Sequence, residues 1–407
     1  MIVFLGLSHL SLCYAASLLK LKKKVVILDS EKEVNNYKLG FTKVFEPGLD
    51  KIFKKKNKLF KITSDNKYLK YAKIIFLAKD VKTDNDNNII LTESVKLLKL
   101  TDKISKDKIL VIMNQVPVGF TRNIKWKNDK IYHFVETLVF GNAVKRATNP
   151  ERIIIGKHRH DTKLDRVLKN LLSLYECPII EMTYEESELT KGYINTYLAS
   201  QLATTNFLSE ICSKYSARWS VIFSAIGLDK RVGNYGYYKP GLGISGGNIE
   251  RDLKTLSKLG RAFKIKNTLP NFLLESSNYY KNFILRLVKK KKMKKIAIFG
   301  LTYKDKTLSV KNAPQLKIIN SLKNKIMIHD FKFERLVNQN TINDLKIKFD
   351  NIESCLSKCE TIIVFHNLRV YKDIKFSKYS NIKNIIDPYG YINSSDINNK
   401  KYFRINN

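Results

Sequence analysis

Short apolar runs rich in β-branched residues alternate with helical stretches along the first third of the chain, and this alternation restricts its possible folds most. The runs occupy Ile2–Leu5, Val25–Leu28, Ile74–Leu77, Ile109–Ile112 and residues 153–155. Continuous apolar runs of this length are typical of strands buried on both faces of a parallel sheet. We therefore predict a doubly wound α/β domain, with residues 153–155 as the strand that closes the series.

The pattern changes between about residues 183 and 260. Residues 185–215 contain no proline and one glycine, with apolar residues at helical spacing, which predicts a long central helix. The α/β alternation resumes after a basic stretch at residues 289–295. We predict the fold class α/β, with two Rossmann-like doubly wound domains (residues 1–182 and 289–407) joined by a central helical region (residues 183–288).

The formal charge of +37 (74 Lys+Arg against 37 Asp+Glu) is at first sight that of a protein that binds nucleic acid. The excess is mostly lysine and is spread from end to end, whereas a DNA or RNA binder concentrates its charge in one arm, helix or face. We therefore expect no nucleic-acid partner. No apolar run approaches the roughly 20 residues of a membrane span, so we expect no membrane association either.

The five cysteines are few and odd in number, which suits a reducing compartment better than a disulfide framework. This predicts a cytoplasmic protein. Cys355 and Cys359 are four residues apart, but no pair of histidines lies near enough in the sequence to complete a zinc site. We predict no bound metal.

The turn after the first strand reads Gly6-Leu-Ser8-His9-Leu10-Ser11, in the place where Rossmann folds carry G-x-G-x-x-G. Only the first glycine is retained, and Ser8 adds a Cβ and a hydroxyl where a pyrophosphate comes closest. Asp29 ends the second strand, where an acidic residue would hold ribose hydroxyls and repel a 2′-phosphate, which favours NAD over NADP. A strand-turn-helix unit that needs no cofactor explains this segment about as well.

Further motifs follow in a fixed order. They are FEPGL at residues 45–49, NQVPVG at 114–119, NPERIIIG at 149–156, KGYIN at 191–195, DKRVG at 229–233, PGLGISGGNIERD at 240–252 and GLTYK at 300–304. Together with the turn at Gly6, this series resembles the UDP-glucose/GDP-mannose dehydrogenase family of nucleotide-sugar dehydrogenases over nearly the whole chain. The resemblance implies NAD as cofactor, a nucleotide-sugar substrate with UDP favoured, a place in polysaccharide biosynthesis, and a homodimer formed through the central helix.

Members of this family oxidise a sugar CH2OH group to a carboxylate in two NAD-dependent steps, through a thioester on a cysteine. Lys191 and Asn195 match the family's lysine and asparagine, and on a helix they share one face. Glu136 matches the first glutamate of the family's Glu-x-Leu-x-Glu-Gly, a candidate base. Asp252 falls on the aspartate that ends the catalytic loop.

Four departures surround the implied active site. Asn248 stands where the family has its cysteine, and an amide is not a nucleophile at neutral pH. Arg251 replaces a lysine, Gln115 (in the predicted cofactor site) a threonine, and Phe140 the second glutamate. We predict a UDP-hexose 6-dehydrogenase-like oxidoreductase with altered or single-step oxidation. The alternative is a catalytically inactive family member that binds a nucleotide sugar or a partner subunit.

The implied sugar-nucleotide site is better retained. Lys304 and Lys311 match cations of the family's second domain, and Arg231 matches the arginine of its Asp-x-Arg element. Tyr238 and Lys239 precede the glycine-rich loop, where they would line the uridine or phosphate pocket. Gly243 and Gly246 would allow close approach of the backbone to substrate. A plain flexible loop is the competing interpretation of this segment.

Overall fold

The computed structural model describes residues 1–39, 46–53, 58–84, 89–266, 268–305, 309–322, 326–331, 348–393, 395, 397 and 399–405. The chain forms two compact units, which we call unit 1 (Met1–Ile194) and unit 2 (Asn195–Asn407). Phe45 of the FEPGL motif lies outside the described residues.

Unit 1 contains ten strands and seven helices within the described residues. The strands are β1 (Ile2–Leu5), β2 (Val25–Leu28), β3 (Phe60–Thr63), β4 (Ile74–Leu77), β5 (Lys82–Thr83), β6 (Ile89–Ile90), β7 (Ile109–Ile112), β8 (Ile131–Phe134), β9 (Ile153–Lys157) and β10 (Ile179–Thr183). The helices are α1 (His9–Lys20), α2 (Glu31–Lys38), α3 (Leu49–Phe53), α4 (Thr92–Lys99), α5 (Ala143–Thr148), α6 (Arg166–Leu172) and the start of α7 (Tyr184–Lys214), with 3-10 turns at Asn66–Tyr71 and Ser173–Tyr175.

Eight of these strands form one sheet in the order β10-β9-β8-β7-β4-β1-β2-β3. The chain builds outwards from β1 to β3 on one side and then crosses to β4, so the direction of winding reverses between β1 and β4. In an open α/β sheet a ligand binds at the carboxyl ends of the strands at such a point. Strand β1 pairs in parallel with both β2 and β4, and side chains on both faces of the sheet are buried in two hydrophobic clusters.

The five apolar runs are strands, as predicted, but the end of the sheet differs from the prediction. Strand β9 does not close the series, because β10 pairs in parallel beyond it, and β9 itself runs antiparallel to β8. Strands β3, β8 and β10 carry polar residues such as Lys61, His133 and Glu181. Because polar residues interrupt these strands, the prediction from continuous apolar runs did not include them.

Helix α7 confirms the predicted long helix and continues from unit 1 into unit 2. The other helices of unit 2 are α8 (Trp219–Ile226), α9 (Asn248–Ala262), α10 (Leu269–Lys281), α11 (Phe283–Lys290), α12 (Pro314–Leu322) and two short helices at Ile352–Lys358 and Arg369–Lys372, with a 3-10 turn at Phe376–Lys378. The strands are β11 (Ile296–Phe299), β12 (Ile326–His329), β13 (Lys348–Phe349), β14 (Thr361–Val364), β15 (Asn384–Ile386) and β16 (Lys401–Phe403). They form a parallel sheet in the order β13-β12-β11-β14-β15-β16.

In both sheets, a backbone N–H just after the first strand donates to an aspartate that follows the neighbouring strand. The N–H of Leu7, after β1, donates to Asp29 Oδ2 at 2.6 Å, and the N–H of Leu301, after β11, donates to Asp330 Oδ2 at 2.7 Å. In each case the aspartate directly follows the neighbouring parallel strand. This shared arrangement fits the prediction of two Rossmann-like sheets. Among the helices of the described ranges, none is long and apolar enough to cross a membrane.

Candidate functional site

Unit 1 carries a cleft of about 440 Å³ at the carboxyl ends of β1 and β4, where the winding of the sheet reverses. One wall is the turn at Leu7, Ser8 and His9, which leads into α1. Residues 79–82, after β4, form another wall, and Glu33 and Tyr37 of α2 lie opposite. The size and place of this cleft fit a dinucleotide, and two of the predicted cofactor residues, Ser8 and His9, line it.

Gly6 has a φ of +105°, and a Cβ built on it would lie 2.8 Å from the Cβ of Lys79. Both the backbone conformation and the close approach of β4 therefore require glycine at this position. The first glycine of the turn is retained for reasons internal to the sheet as well as for any phosphate that approaches the turn.

The two serines that replace the later glycines form a reciprocal helix cap. Ser8 Oγ accepts from the Ser11 N–H at 3.1 Å, and Ser11 Oγ accepts from the Ser8 N–H at 3.0 Å. Ser8 Oγ also donates to the Ala78 carbonyl at 2.5 Å, so the hydroxyl points back to the end of β4. Both hydroxyls are therefore hydrogen-bonded within the cap, and that of Ser8 also to the end of β4. Leu10 is packed in the core, so only its backbone is available at the turn.

Asp29 is paired with a lysine that the sequence analysis missed. Its Oδ2 accepts from the Leu7 N–H and lies 2.7 Å from Lys79 Nζ, while its Oδ1 accepts from the Ser30 N–H at 2.7 Å. These contacts use most of the roughly four acceptor positions of a carboxylate. The signal in the sequence was a charged pair, Lys79-Asp80, directly after a buried strand.

His9 is part of a buried polar cluster beside the cleft. Its Nε2 lies 3.1 Å from Glu46 Oε2 and 3.4 Å from Cys13 Sγ, and its ring stacks on Phe140 with centroids 4.6 Å apart. Phe140, one of the four departures, therefore packs against the predicted cofactor residue His9. Although burial opposes its charge, hydrogen bonds from His9 and from the N–H groups of residues 141 and 143 lower the pKa of Glu46.

Cys13 does not supply the missing nucleophile. Its side chain is fully buried, and burial, reinforced by the charges of Glu46, Asp80 and Glu136, raises the pKa of the thiol well above its usual value. A thiol that stays protonated is not a nucleophile. All five cysteines lie within the described ranges and are free thiols. Nowhere in those ranges does a group of three or more His, Cys, Asp or Glu side chains have a geometry that would hold a metal ion.

Two predicted catalytic residues of unit 1 form an ion pair. Lys191 Nζ, on α7, lies 3.1 Å from Glu136 Oε1, and Glu136 Oε2 accepts from the Leu138 N–H at 2.9 Å. Both side chains are mostly buried. A partly desolvated carboxylate beside an ammonium group suits proton transfer to and from a bound hydroxyl. Gln115 is half-buried in the loop that follows β7.

Three further residues form a buried cluster in unit 2. Asn195 Nδ2, on α7, donates to Asp252 Oδ2 on α9, and Arg251 Nε lies 3.0 Å from Asp252 Oδ1. All three side chains are buried. Asn195 and Asp252 are 57 residues apart in the chain, and the structure brings these two predicted residues into contact. Arg251 balances the buried carboxylate.

Asn248 is the first residue of α9, and its side chain is exposed. The loop before it packs on Lys311, whose carbonyl accepts from the Gly246 N–H at 3.1 Å. Gly246 has a φ of +80°, and Gly243 has a φ of +76° with no room for a Cβ against the Ser277 carbonyl. The glycine-rich loop is therefore tied to its surroundings rather than free. At the start of α9 it presents the amide of Asn248, at the position where the resemblance implies a thiol.

The remaining predicted substrate residues are dispersed. Arg231 is exposed and paired with Asp229 at 2.6 Å. The Tyr238 hydroxyl donates to the Val232 carbonyl at 3.0 Å, and its ring stacks on Phe223. Lys239 and Lys304 are exposed. Of the predicted substrate residues, the structure thus brings Lys311 and Gly246 into contact, whereas Arg231 and Tyr238 have other partners.

Comparisons with known proteins identify one family along most of the chain. Residues 1–177 match the NAD binding domain of the UDP-glucose/GDP-mannose dehydrogenase family, residues 185–278 match its central domain, and residues 297–393 match its UDP binding domain. A UDP-glucose 6-dehydrogenase of Campylobacter jejuni is 28% identical over 361 residues, covering 86% of this chain and 90% of that protein. The UDP-glucose 6-dehydrogenase TuaD of Bacillus subtilis is 26% identical over 339 residues, covering 79% of this chain and 73% of that protein.

Solved structures confirm the predicted fold. A UDP-glucose dehydrogenase from Pyrobaculum islandicum matches with a TM-score of 0.84 at 19% identity, covering 100% of this chain and 97% of that one. A UDP-D-ManNAc dehydrogenase from Pyrococcus horikoshii matches with a TM-score of 0.79 at 17% identity, covering 100% and 99%. At these identities the likeness establishes the fold alone.

Proposed function

The chain belongs to the UDP-glucose/GDP-mannose dehydrogenase family, whose cofactor is NAD, and on that basis we propose that it oxidises a nucleotide sugar in a single hydride transfer. UDP-hexoses are the favoured substrates, because residues 297–393 match a UDP binding domain. The observation that carries the proposal is Asn248, an exposed amide at the start of α9, one helical turn before the buried cluster of Asp252, Asn195 and Arg251. The buried residues beside the proposed site are present, whereas Asn248 supplies no thiol.

The residues of unit 1 suit the first oxidation. Bound NAD would supply the acceptor for the hydride that leaves the carbinol carbon of the sugar. Glu136 takes the hydroxyl proton as that carbon–hydrogen bond breaks, which leaves an aldehyde. The ammonium group of Lys191, 3.1 Å from the Glu136 carboxylate, stabilises negative charge on the carbinol oxygen. Gly6, Ser8, His9 and Asp29 would hold the cofactor, and Gln115 would border it.

The second oxidation of the family needs a covalent adduct between the aldehyde and a thiol. The amide of Asn248 cannot form that adduct, and Cys13 is buried and protonated. In unit 2 we assign the sugar nucleotide to Lys304, Lys311 and the glycine-rich loop, with Asn195 and Asp252 beside the sugar. Arg231, Tyr238 and Lys239 remain proposed contacts for the nucleotide.

The test counts NADH formed per sugar consumed, over a panel of UDP- and GDP-sugars, with the aldehyde trapped by hydroxylamine. We expect one NADH and one aldehyde per sugar. Two NADH per sugar would contradict the proposal and require another nucleophile. Asn248→Cys is expected to raise the count to two NADH per sugar. Asn248→Ser is the matched control, because serine is close to cysteine in size but has no thiol. If Asn248→Cys still releases no carboxylate, then Phe140, Gln115 or the cofactor site also prevents the second oxidation.

The alternative function is that of an inactive family member that binds a nucleotide sugar or a partner subunit. Two contacts favour it: Asp29 is paired with Lys79, and Phe140 packs on His9. In both contacts a side chain that lines the cofactor cleft is already engaged by another residue of the chain. Titration calorimetry with NAD separates the two functions. Tight binding of NAD would contradict the inactive alternative, and absence of binding would support it.

We also propose that the chain forms a homodimer through α7. Phe207 and Ile211 on α7 and Phe272 on α10 are exposed and border a groove of about 470 Å³. An exposed apolar surface of this kind marks a protein interface. Light scattering after gel filtration is expected to give twice the 47.2 kDa chain mass, and Ile211→Glu to give the monomer. A monomeric wild-type protein would overturn this assignment.

The free cysteines support a cytoplasmic location, and the family supports a role in polysaccharide biosynthesis.

A further inference from the structure

Asp80 lines the cofactor cleft, beside the first turn of α1. It follows Lys79 at the end of β4, and its Oδ2 accepts from the N–H of His9, the first residue of α1, at 3.2 Å. The free N–H groups at a helix N-terminus, together with the helix dipole, favour a bound anion. In this chain a carboxylate already lies where the pyrophosphate of a dinucleotide binds in a Rossmann fold.

The surroundings of Asp80 leave its charge poorly balanced. Its side chain reaches solvent, and no basic group in the described ranges lies within 4 Å of its carboxylate. His9 on α1 and Lys79 on its own segment attract the charge, whereas Glu136, after β8, repels it. Although the residue as a whole is exposed, the chain packed around its carboxylate desolvates it, and this largest effect raises the pKa of Asp80 above the usual value for aspartate.

Other charged groups that line the cleft have partners of opposite charge. Lys82 is paired with Glu93 on α4, and Glu33 on α2 lies 4.0 Å from Lys79. Glu46 is paired with His9. Two carboxylates accept from the backbone of the phosphate-binding turn, Asp29 from Leu7 and Asp80 from His9, and Asp29 is balanced by Lys79 at 2.7 Å.

We propose that Asp80 competes with the cofactor pyrophosphate for the N-terminus of α1, so that NAD binds with uptake of a proton and more tightly as pH falls. The proposal rests on the cofactor assignment above. The pyrophosphate is anionic throughout the neutral range, and two like charges at one site cannot both remain ionised without cost. Asp80 is therefore protonated when the dinucleotide binds.

The sign of the pH dependence follows from linkage. A neighbouring pyrophosphate raises the pKa of Asp80 in the complex above its value in the free protein. Between those two values the complex holds more protons than the free protein, so the Kd for NAD rises with pH. Above and below this window the Kd is flat with respect to Asp80.

His9 carries another ionisable side chain near the turn. Protonation of its ring would also favour an anionic ligand, so the experiment has to separate the two side chains. His9 contributes its backbone N–H to the turn whatever its side chain, which makes His9→Gln a usable variant. Asp107 is exposed, lies outside the cleft and is paired with Lys127. Asp107→Asn removes one negative charge from unit 1 and is the matched control for Asp80→Asn.

The experiment measures the Kd for NAD by calorimetry between pH 5.5 and 8.5, in buffers of different ionisation enthalpy, for the wild type and the three variants. At pH 8, Asp80→Asn is expected to bind NAD about tenfold more tightly than the wild type. It should also lose the pH slope and the proton uptake. His9→Gln should keep the pH slope and the proton uptake whatever its effect on the affinity itself, and Asp107→Asn should behave as the wild type.

Three results would overturn the proposal. One is an Asp80→Asn protein with the affinity and pH slope of the wild type, and another is a slope that disappears in His9→Gln but persists in Asp80→Asn. The third is absence of NAD binding by both the wild type and Asp80→Asn, which would overturn the cofactor site itself. Binding that is equal in the wild type and Asp80→Asn overturns the role of Asp80 alone and leaves the proposed function intact.

Discussion

Lys79 and Asp29 form a buried ion pair, with Nζ and Oδ2 2.7 Å apart, at the carboxyl ends of two strands of one sheet. Glu93 and Glu33 lie 3.9 and 4.0 Å from the same ammonium group. Lys79 is thus surrounded by three carboxylates at the place where a Rossmann fold binds the adenosine ribose. The carboxylate that the sequence analysis assigned to the ribose is also the partner of a buried lysine.

Removing Lys79 is expected to destabilise unit 1. In Lys79→Met the Asp29 carboxylate stays buried and keeps only its backbone donors, so we expect a loss of about 3 kcal/mol in the free energy of unfolding. Denaturant unfolding followed by circular dichroism measures it. Lys82→Met removes an exposed lysine from the same segment and should cost less than about 1 kcal/mol. Equal losses in the two variants would refute a special role for the buried pair.

Restoring the family glycine at position 8 should weaken the fold without improving the cofactor site. Ser8→Gly removes the side-chain cap of α1 and the hydrogen bond to the Ala78 carbonyl, which together contribute about 1 kcal/mol. Because the serine side chain points to β4, the Kd for NAD should change less than about twofold. Thermal unfolding measures the loss of stability, and calorimetry measures the Kd for NAD. A large gain in NAD affinity would mean that the Ser8 hydroxyl obstructs the pyrophosphate.

His133 on β8 makes the stability of unit 1 depend on pH. Burial lowers the pKa of His133 to about 4, from 6.5 for an ordinary histidine, and its Nδ1 lies 2.8 Å from Ser187 Oγ. Between pH 6.5 and 4 the unfolded chain binds the proton and the folded one does not, so stability falls as pH falls, by at most about 1.4 kcal/mol per pH unit. His133→Asn should reduce this slope in denaturant unfolding, whereas His160→Asn, at an exposed site, should keep it.

The ion pair of Lys191 and Glu136 should control the rate of hydride transfer. Lys191→Met removes the cation beside the base and is expected to lower kcat about 100-fold, with a smaller effect on KM. Lys145→Met, at an exposed position of α5, is the control. Initial rates of NADH formation at saturating NAD give the comparison. A change confined to KM would assign Lys191 to substrate binding alone.

Two predicted residues illustrate how far sequence reasoning reached. The spacing of Lys191 and Asn195 predicts one shared helix face, and both lie one turn apart on α7. Their partners Glu136 and Asp252 were recognised from the motifs, but the two contacts were not, because each joins residues more than 50 positions apart. Strand β8 was missed for a different reason. Its tyrosine and histidine interrupt the apolar pattern, although packing buries both.

The amino-acid sequence by itself determined the alternation of buried strands and helices, the order of the family motifs and the absence of a thiol at position 248. These are local or covalent properties, readable from residues that are neighbours in the chain. Only the tertiary structure decided that Ser8 caps a helix, that Lys79 neutralises Asp29 and that Asp80 lies against the first turn of α1. Such contacts arise because a parallel sheet aligns the carboxyl ends of strands whose paired residues are 23 and 72 positions apart in the chain. Which charges then meet depends on distances in space that spacing in the sequence does not contain.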